Sequence, residues 1–192
     1  TEINYTYFNE ETQTFVPFDP SEPQNTTIRM TVTVREHYFM LDDDSENLVN
    51  GQISLALEAA DRAEGDTTDY QAQYEDEAIL KENWSTVVSQ TSEDEWQITF
   101  EFNHDANYTM NLTYKDLSGK GCDTGEQKFT YDATNPTGSI TVTTNDGANI
   151  WKTLLNAITF GGFDKFSNDN NIPVSLSGED MTSGVAKVQY YN

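Results

Sequence analysis

The chain has 192 residues, of which 33 are acidic and 10 basic, giving a formal net charge of −23; this length suits one mid-sized domain or two small ones. So acidic a chain repels phosphate, which excludes nucleic acid as a partner. No apolar run approaches the roughly 20 residues that a membrane helix needs, which excludes membrane insertion by this segment.

Leu, Ile, Val and Phe supply about a fifth of the residues, the border below which disorder is expected. The 12% aromatic fraction argues for a real core, because each aromatic ring buries a large area. The sequence opens on Thr1 with no signal peptide, so it reads as a segment of something longer. The single cysteine, Cys122, permits no internal disulfide, which argues against a disulfide-built ectodomain.

In chain order, the ordered stretches alternate with period two. Thr27 to Arg35 puts Ile28, Met30, Val32 and Val34 on one face, with Thr and Arg on the other, the pattern of a half-buried antiparallel strand. Gln52 to Glu58 points Ile53, Leu55 and Leu57 inward. Glu75 to Glu82 carries helical spacing over about two turns. Glu95 to Phe102 then points Trp96, Ile98, Phe100 and Phe102 inward, and Asn107 to Tyr114 does so with Tyr108, Met110, Leu112 and Tyr114. Lys128 to Tyr131 adds a short strand. Five or more short strands separated by polar loops predict a β-sandwich. Its expected core holds Ile28, Met30, Val32, Val34, Leu55, Trp96, Ile98, Phe100, Tyr108, Met110 and Leu112.

The stretch Tyr131 to Gly138 (YDATNPTG) separates two unlike halves. Residues 1–137 hold 28 acidic and 7 basic side chains, residues 138–192 only 5 and 3. Pro136 fixes its own φ and pushes Asn135 into extended backbone, which suits a short, stiff connector. Beyond it, strands are expected at Ser139 to Thr143, Ile158 to Phe160, Pro173 to Leu176 and Ala186 to Tyr191, with a helical turn at Trp151 to Asn156. About 55 residues are few for the seven strands of a sandwich, so this second domain is expected to be minimal or truncated.

Three stretches, Asn107 to Lys120 (NYTMNLTYKDLSGK), Phe129 to Gly138, and Trp151 to Phe163 with Ser177 to Tyr191, together resemble one family. It is the tandem Ig-like domains of large, adhesin-type cell-surface proteins of Gram-positive bacteria. The resemblance implies an all-β fold: an antiparallel Ig-like β-sandwich over residues 1–134, then a second, smaller or truncated Ig-like β unit over 135–192, with one or two short helices. It also implies an extracellular place on the cell surface or wall, and a monomeric fragment of a longer chain. Tyr108 stands two residues before the inward Met110, where Ig-like sandwiches place a corner tyrosine whose hydroxyl bonds back to the backbone. Met110 occupies the position of a disulfide cysteine in antibody domains, so packing alone would hold the sheets together.

Chemistry has thin material. His37 and His104 have no metal-ligand spacing. Cys122 lies among acidic neighbours that raise a thiol pKa. No P-loop, nucleophile elbow or dinucleotide fingerprint is present, so no enzyme and no cofactor are expected. Asp42, Asp43, Asp44 and Glu46, or Asp164 to Asn171, could supply oxygens to calcium, but neither has EF-hand spacing, and a solvated acidic surface explains both. Sequons begin at Asn4, Asn25, Asn83, Asn107 and Asn111, as chance supplies in an Asn- and Thr-rich chain. No Lys precedes Lys81, which removes an isopeptide cross-link from a first-strand lysine.

A non-enzymatic surface module is therefore expected, acting as a structural spacer or binding a host extracellular protein or glycan. Recognition would concentrate on the acidic segment from Asp42 to Asn83, with Tyr70 and Tyr74 as contacts and Asp42, Asp43 and Asp44 steering. In the opposing reading, Tyr74, Ala78 and Ile79 anchor a short helix on the sandwich edge. The rival function is a carbohydrate-binding accessory module of a secreted enzyme, with Trp84, Trp96 and Trp151 stacking on sugars.

Overall fold

The computed structural model describes residues 1–35, 53–86, 95–116, 118–142 and 174–189. The chain divides into two compact units, Thr1–Asn135 with Met181–Ser183, and Pro136–Asp180 with Gly184–Asn192. Among the described residues the fold is largely antiparallel β, with three sheets and one α-helix.

In the first unit, β1 (Glu2–Asn9), β2 (Thr14–Pro17), β3 (Ile28–Arg35), β5 (Ser85–Thr86) and β6 (Glu95–Phe102) form a sheet of order β2-β1-β3-β6-β5. β3 and β6 show why the sequence folds this way. Their inward residues meet as Ile28↔Phe102, Met30↔Phe100 and Val32↔Ile98. Their outward residues meet as polar pairs: Arg29 with Glu101 at 2.6 Å, Thr31 with Thr99 at 3.0 Å, Gln97 donating to Thr33 at 3.1 Å, and Arg35 with Glu95 at 2.6 Å. A one-residue slip would turn both sets over, so burial of one face fixes the register.

The second sheet joins β4 (Ile53–Ala60) to β7 (Ala106–Lys115), whose far side carries β8 (Gly121–Asp123) and β9 (Gln127–Tyr131) in succession. Between those two, Thr124 replaces a ladder residue. Its N–H donates to the Leu112 carbonyl and its Oγ1 accepts from the Leu112 N–H, both at 3.0 Å. Gly125, at φ +73°, takes a left-handed backbone that few other residues tolerate. At the exit of β9, Asp105 accepts from the Ala133 N–H at 2.8 Å and from the Thr134 hydroxyl. Asp132 accepts from the Thr134 N–H at 3.1 Å.

The inner faces of both sheets feed one core cluster. The expected core residues are buried in it, with one correction. Trp96 is only partly buried against the cluster, because it lies at the start of β6 opposite Thr86 of the two-residue β5. β1 and β2 add strands that the period-two reading passed over, although Ile3, Tyr5 and Tyr7 alternate on β1, with Tyr5 and Tyr7 opposite Met30 and Ile28.

In the second unit, β10 (Thr137–Val142) and β11 (Val174–Glu179) pair antiparallel, with Ser139 and Ser177 hydroxyls 2.8 Å apart and Ile140 opposite Leu176. A Cβ on Gly178 would lie 3.0 Å from Cγ2 of Val188 and 3.3 Å from Cγ1 of Val185, so glycine lets those valines close on the ribbon. The strand expected from Ala186 to Tyr191 is not found over residues 186–189, which have no ladder partner among the described residues. The remainder of that strand, and the elements expected at Trp151 to Asn156 and Ile158 to Phe160, lie outside the described residues.

Candidate functional site

The helix of the acidic segment, α1 (Tyr70–Ile79), starts five residues before the expected Glu75. Asp69 caps it, its carboxylate accepting from the Ala72 N–H at 3.0 Å, which satisfies one of the free donors at a helix start. A 3-10 turn follows over Lys81–Asn83. Starting at Tyr70 aligns Tyr70, Tyr74 and Ala78 on one buried stripe, the four-residue spacing of a helix face.

The two tyrosines expected as partner contacts therefore lie inside the fold, 3% and 2% exposed. Tyr74 donates to the Glu101 carbonyl at 2.6 Å and stacks on Phe102 at 4.6 Å. Tyr70 donates to the Asp66 carboxylate at 2.7 Å and meets Tyr108 edge-on at 6.1 Å. Burial pushes the Tyr74 phenol well up from its ordinary value, so it stays a neutral donor. The Asp66 carboxyl is lowered to about 2, first by the Thr68 backbone N–H and then by the Thr68 and Tyr70 side chains. Asp42, Asp43 and Asp44, with His37, Trp151 and the Asp164 to Asn171 stretch, lie outside the described residues.

Tyr108 ties β7 back to the turn before it. Its hydroxyl donates to the His104 carbonyl at 2.8 Å, four residues upstream, while its ring packs on Phe102 and Phe129 at 4.9 and 5.3 Å. His104 is thereby a structural element of the turn between β6 and β7, with its imidazole 5.7 Å from Tyr70.

One flank of α1, beside the buried stripe, borders a surface groove that the sequence did not announce. It encloses about 650 Å³ between Gln73 and Glu77 of the helix, Arg29, Thr99 and Glu101 from the outward faces of β3 and β6, and Asn103 and His104 of the turn. Its one guanidinium is engaged: Arg29 bonds Glu101 at 2.6 Å and lies 3.6 Å over the Phe15 ring. Glu77 is half-buried, and its carboxylate makes no hydrogen bond or ion pair among the described residues. Desolvation, then repulsion from Glu101, raises its pKa. The lining suits a polar or cationic group and contains neither serine nor cysteine.

Among the described residues no group of three or more His, Cys, Asp or Glu side chains is placed to hold a metal ion, and no helix is long and apolar enough to cross a membrane. Cys122 is partly buried and accepts from the Thr1 hydroxyl at 3.4 Å. Trp84 is buried and donates to the Ala78 carbonyl at 2.8 Å. The Asn107 side chain donates to Asp61 at 2.8 Å and accepts from Thr130 at 2.6 Å. No family model matches the sequence, and no curated protein or solved structure matches the chain.

Proposed function

We propose that the chain is a non-enzymatic module of an extracellular surface protein, in which residues 1–134 form an Ig-like sandwich and residues 135–192 a second, smaller Ig-like unit, and that it acts as a structural spacer. The strand orders support the Ig-like reading, since β1, β3, β6 and β5 on one sheet and β4, β7 and β9 on the other follow the seven-strand arrangement of that fold. The Tyr108 to His104 bond agrees with it. The observation that carries the spacer over the binder is the burial of Tyr70 and Tyr74. Interface energy concentrates in a few aromatic anchors, and here these rings hold a helix onto the core.

A second reading, recognition of a basic group on a host protein, rests on the Glu77 carboxylate in its groove, which has no cation partner among the described residues. The carbohydrate-binding alternative has less support, because Trp84 is buried and Trp96 packs partly against the core. A pull-down of host serum and mucosal proteins on immobilised chain tests the choice. The spacer reading expects no specific capture. Capture that Glu77→Gln abolishes replaces it with the second reading.

A further inference from the structure

Glu77 stands in its groove without a cation partner among the described residues. The guanidinium of the groove, Arg29, is already held by Glu101 at 2.6 Å. Lys81 lies four residues on, the spacing of a helical ion pair, but it opens the 3-10 turn and makes no ion pair with Glu77. Residues 36–52, 87–94 and 117, the part of the first unit outside the described residues, contain no Lys or Arg. Of the charged groups that line the groove, Glu101 on β6 acts on Glu77, by repulsion. The neutral part of the lining is rich in acceptors. Gln73 lies four residues before Glu77, so the two side chains share one flank of α1, and Asn103 and Thr99 line the groove from the turn and from β6. The Gln73 and Asn103 side-chain amides have no hydrogen-bond partner among the described residues.

We propose that this groove is a lysine site, in which the Glu77 carboxylate takes the ammonium of a lysine side chain on a partner protein and the Gln73 and Asn103 amide oxygens accept its remaining protons. The inference rests on the second reading above and narrows its basic group to a primary ammonium. The lining separates this cation from its rivals. A divalent metal takes six or more oxygens, and no group of three metal-ligating side chains is present among the described residues. A quaternary ammonium is held by aromatic faces, and the one ring in the lining is His104. A guanidinium presents its donors in a rigid plane and gains from stacking, but the Phe15 ring beside the groove is already covered by Arg29 at 3.6 Å. A primary ammonium needs one carboxylate and two further acceptors around a point charge, the set that Glu77, Gln73 and Asn103 offer. The groove's 650 Å³ leaves room for the four-carbon stem, and the acidic field draws a basic partner toward it.

The test titrates the isotope-labelled full chain with Nα-acetyl-lysine amide by NMR, at neutral pH and physiological salt. Saturable shifts centred on Gln73, Glu77 and Asn103 are expected, with the arginine and Nε-trimethyl-lysine analogues weaker by about fivefold or more. Glu77→Gln should weaken lysine binding about tenfold or more; it removes a repelled charge, so the fold is kept. Cation and proton compete for one carboxylate, so the probe should also lower the titration midpoint of Glu77. Equal binding of the arginine analogue, shifts scattered over other acidic surfaces, or undiminished binding by Glu77→Gln overturns the proposal. Capture of a host protein that depends on Glu77, with the lysine probe leaving the groove unmoved, sinks the lysine site and spares the second reading. Neither capture nor probe binding sinks both. Probe binding without capture upholds the site and sets aside host serum and mucosal proteins as the source of the lysine.

Discussion

The β3–β6 pair of the first unit and the β10–β11 ribbon of the second carry the same alternation. Met30 faces Phe100 beside a Thr31–Thr99 hydroxyl pair; Ile140 faces Leu176 beside a Ser139–Ser177 pair. Yet Met30 and Phe100 are 1% and 0% exposed, whereas Ile140 is 70% exposed and Val174 56%. Alternation decides which face is apolar, a local property of the strand. Whether that face is buried depends on a second layer: the first unit supplies β4, β7 and β9 opposite β3 and β6, all feeding one cluster.

The largest expected effect separates the two regions. Phe100→Ala should lower stability by about 3 to 5 kcal/mol in chemical denaturation, through lost transfer energy and a residual cavity, whereas Ile140→Ala should stay within about 0.5 kcal/mol. A loss below about 1 kcal/mol at Phe100 would show that the β3–β6 register is wrong.

Tyr74 sharpens the contrast between core and surface in the acidic segment. Tyr74→Ala should destabilise by about 3 kcal/mol or more, as for other buried aromatics. Tyr74→Phe keeps the stack on Phe102 and should lose about 1 kcal/mol with the bond to the Glu101 carbonyl. Equal losses in the two variants would mean that the ring contributes little. Tyr108→Phe removes the bond to the His104 carbonyl and is likewise expected to lower stability by about 1 kcal/mol; unchanged stability would remove the corner from the account of the fold.

The smallest expected effect lies in the groove. A carboxyl whose folded pKa is raised binds more protons folded than unfolded, so it opposes folding above that pKa and stops doing so as pH falls below its unfolded value. Glu77→Gln should therefore raise stability at neutral pH, by less than about 1 kcal/mol because the group is half exposed and screened. The gain should vanish in acid. A gain independent of pH, or a loss at neutral pH, would show that Glu77 has a partner in the folded protein.

Much of the first unit was legible because its strands alternate strictly: the β3, β4, β6 and β7 segments each show their inward faces without reference to any neighbour. The eight residues of β1 alternate less cleanly, with Phe8 on the outward side against Phe15, and were passed over. The helix starts at Tyr70 rather than at the expected Glu75, because Asp69 caps it. The Tyr70, Tyr74, Ala78 spacing was the signal that could have found it. The groove had no such signal, since its lining comes from positions near 29, 75 and 100 that no local pattern relates.

The sequence by itself determined the antiparallel β character of the first unit, the apolar face of each long strand and the acidic field. All of these follow from side-chain periodicity or summed charge, which are local or additive. Tertiary structure alone decided that the tyrosines of the acidic segment face inward, that Glu77 has no cation partner among the described residues while Arg29 is held by Glu101 and Phe15, and that the Gln71 amide of α1 bonds the backbone of β4. The physical reason is one of reach: burial, ion pairing and such hydrogen bonds are set by groups far apart in the chain, brought together only when the two sheets and the helix pack.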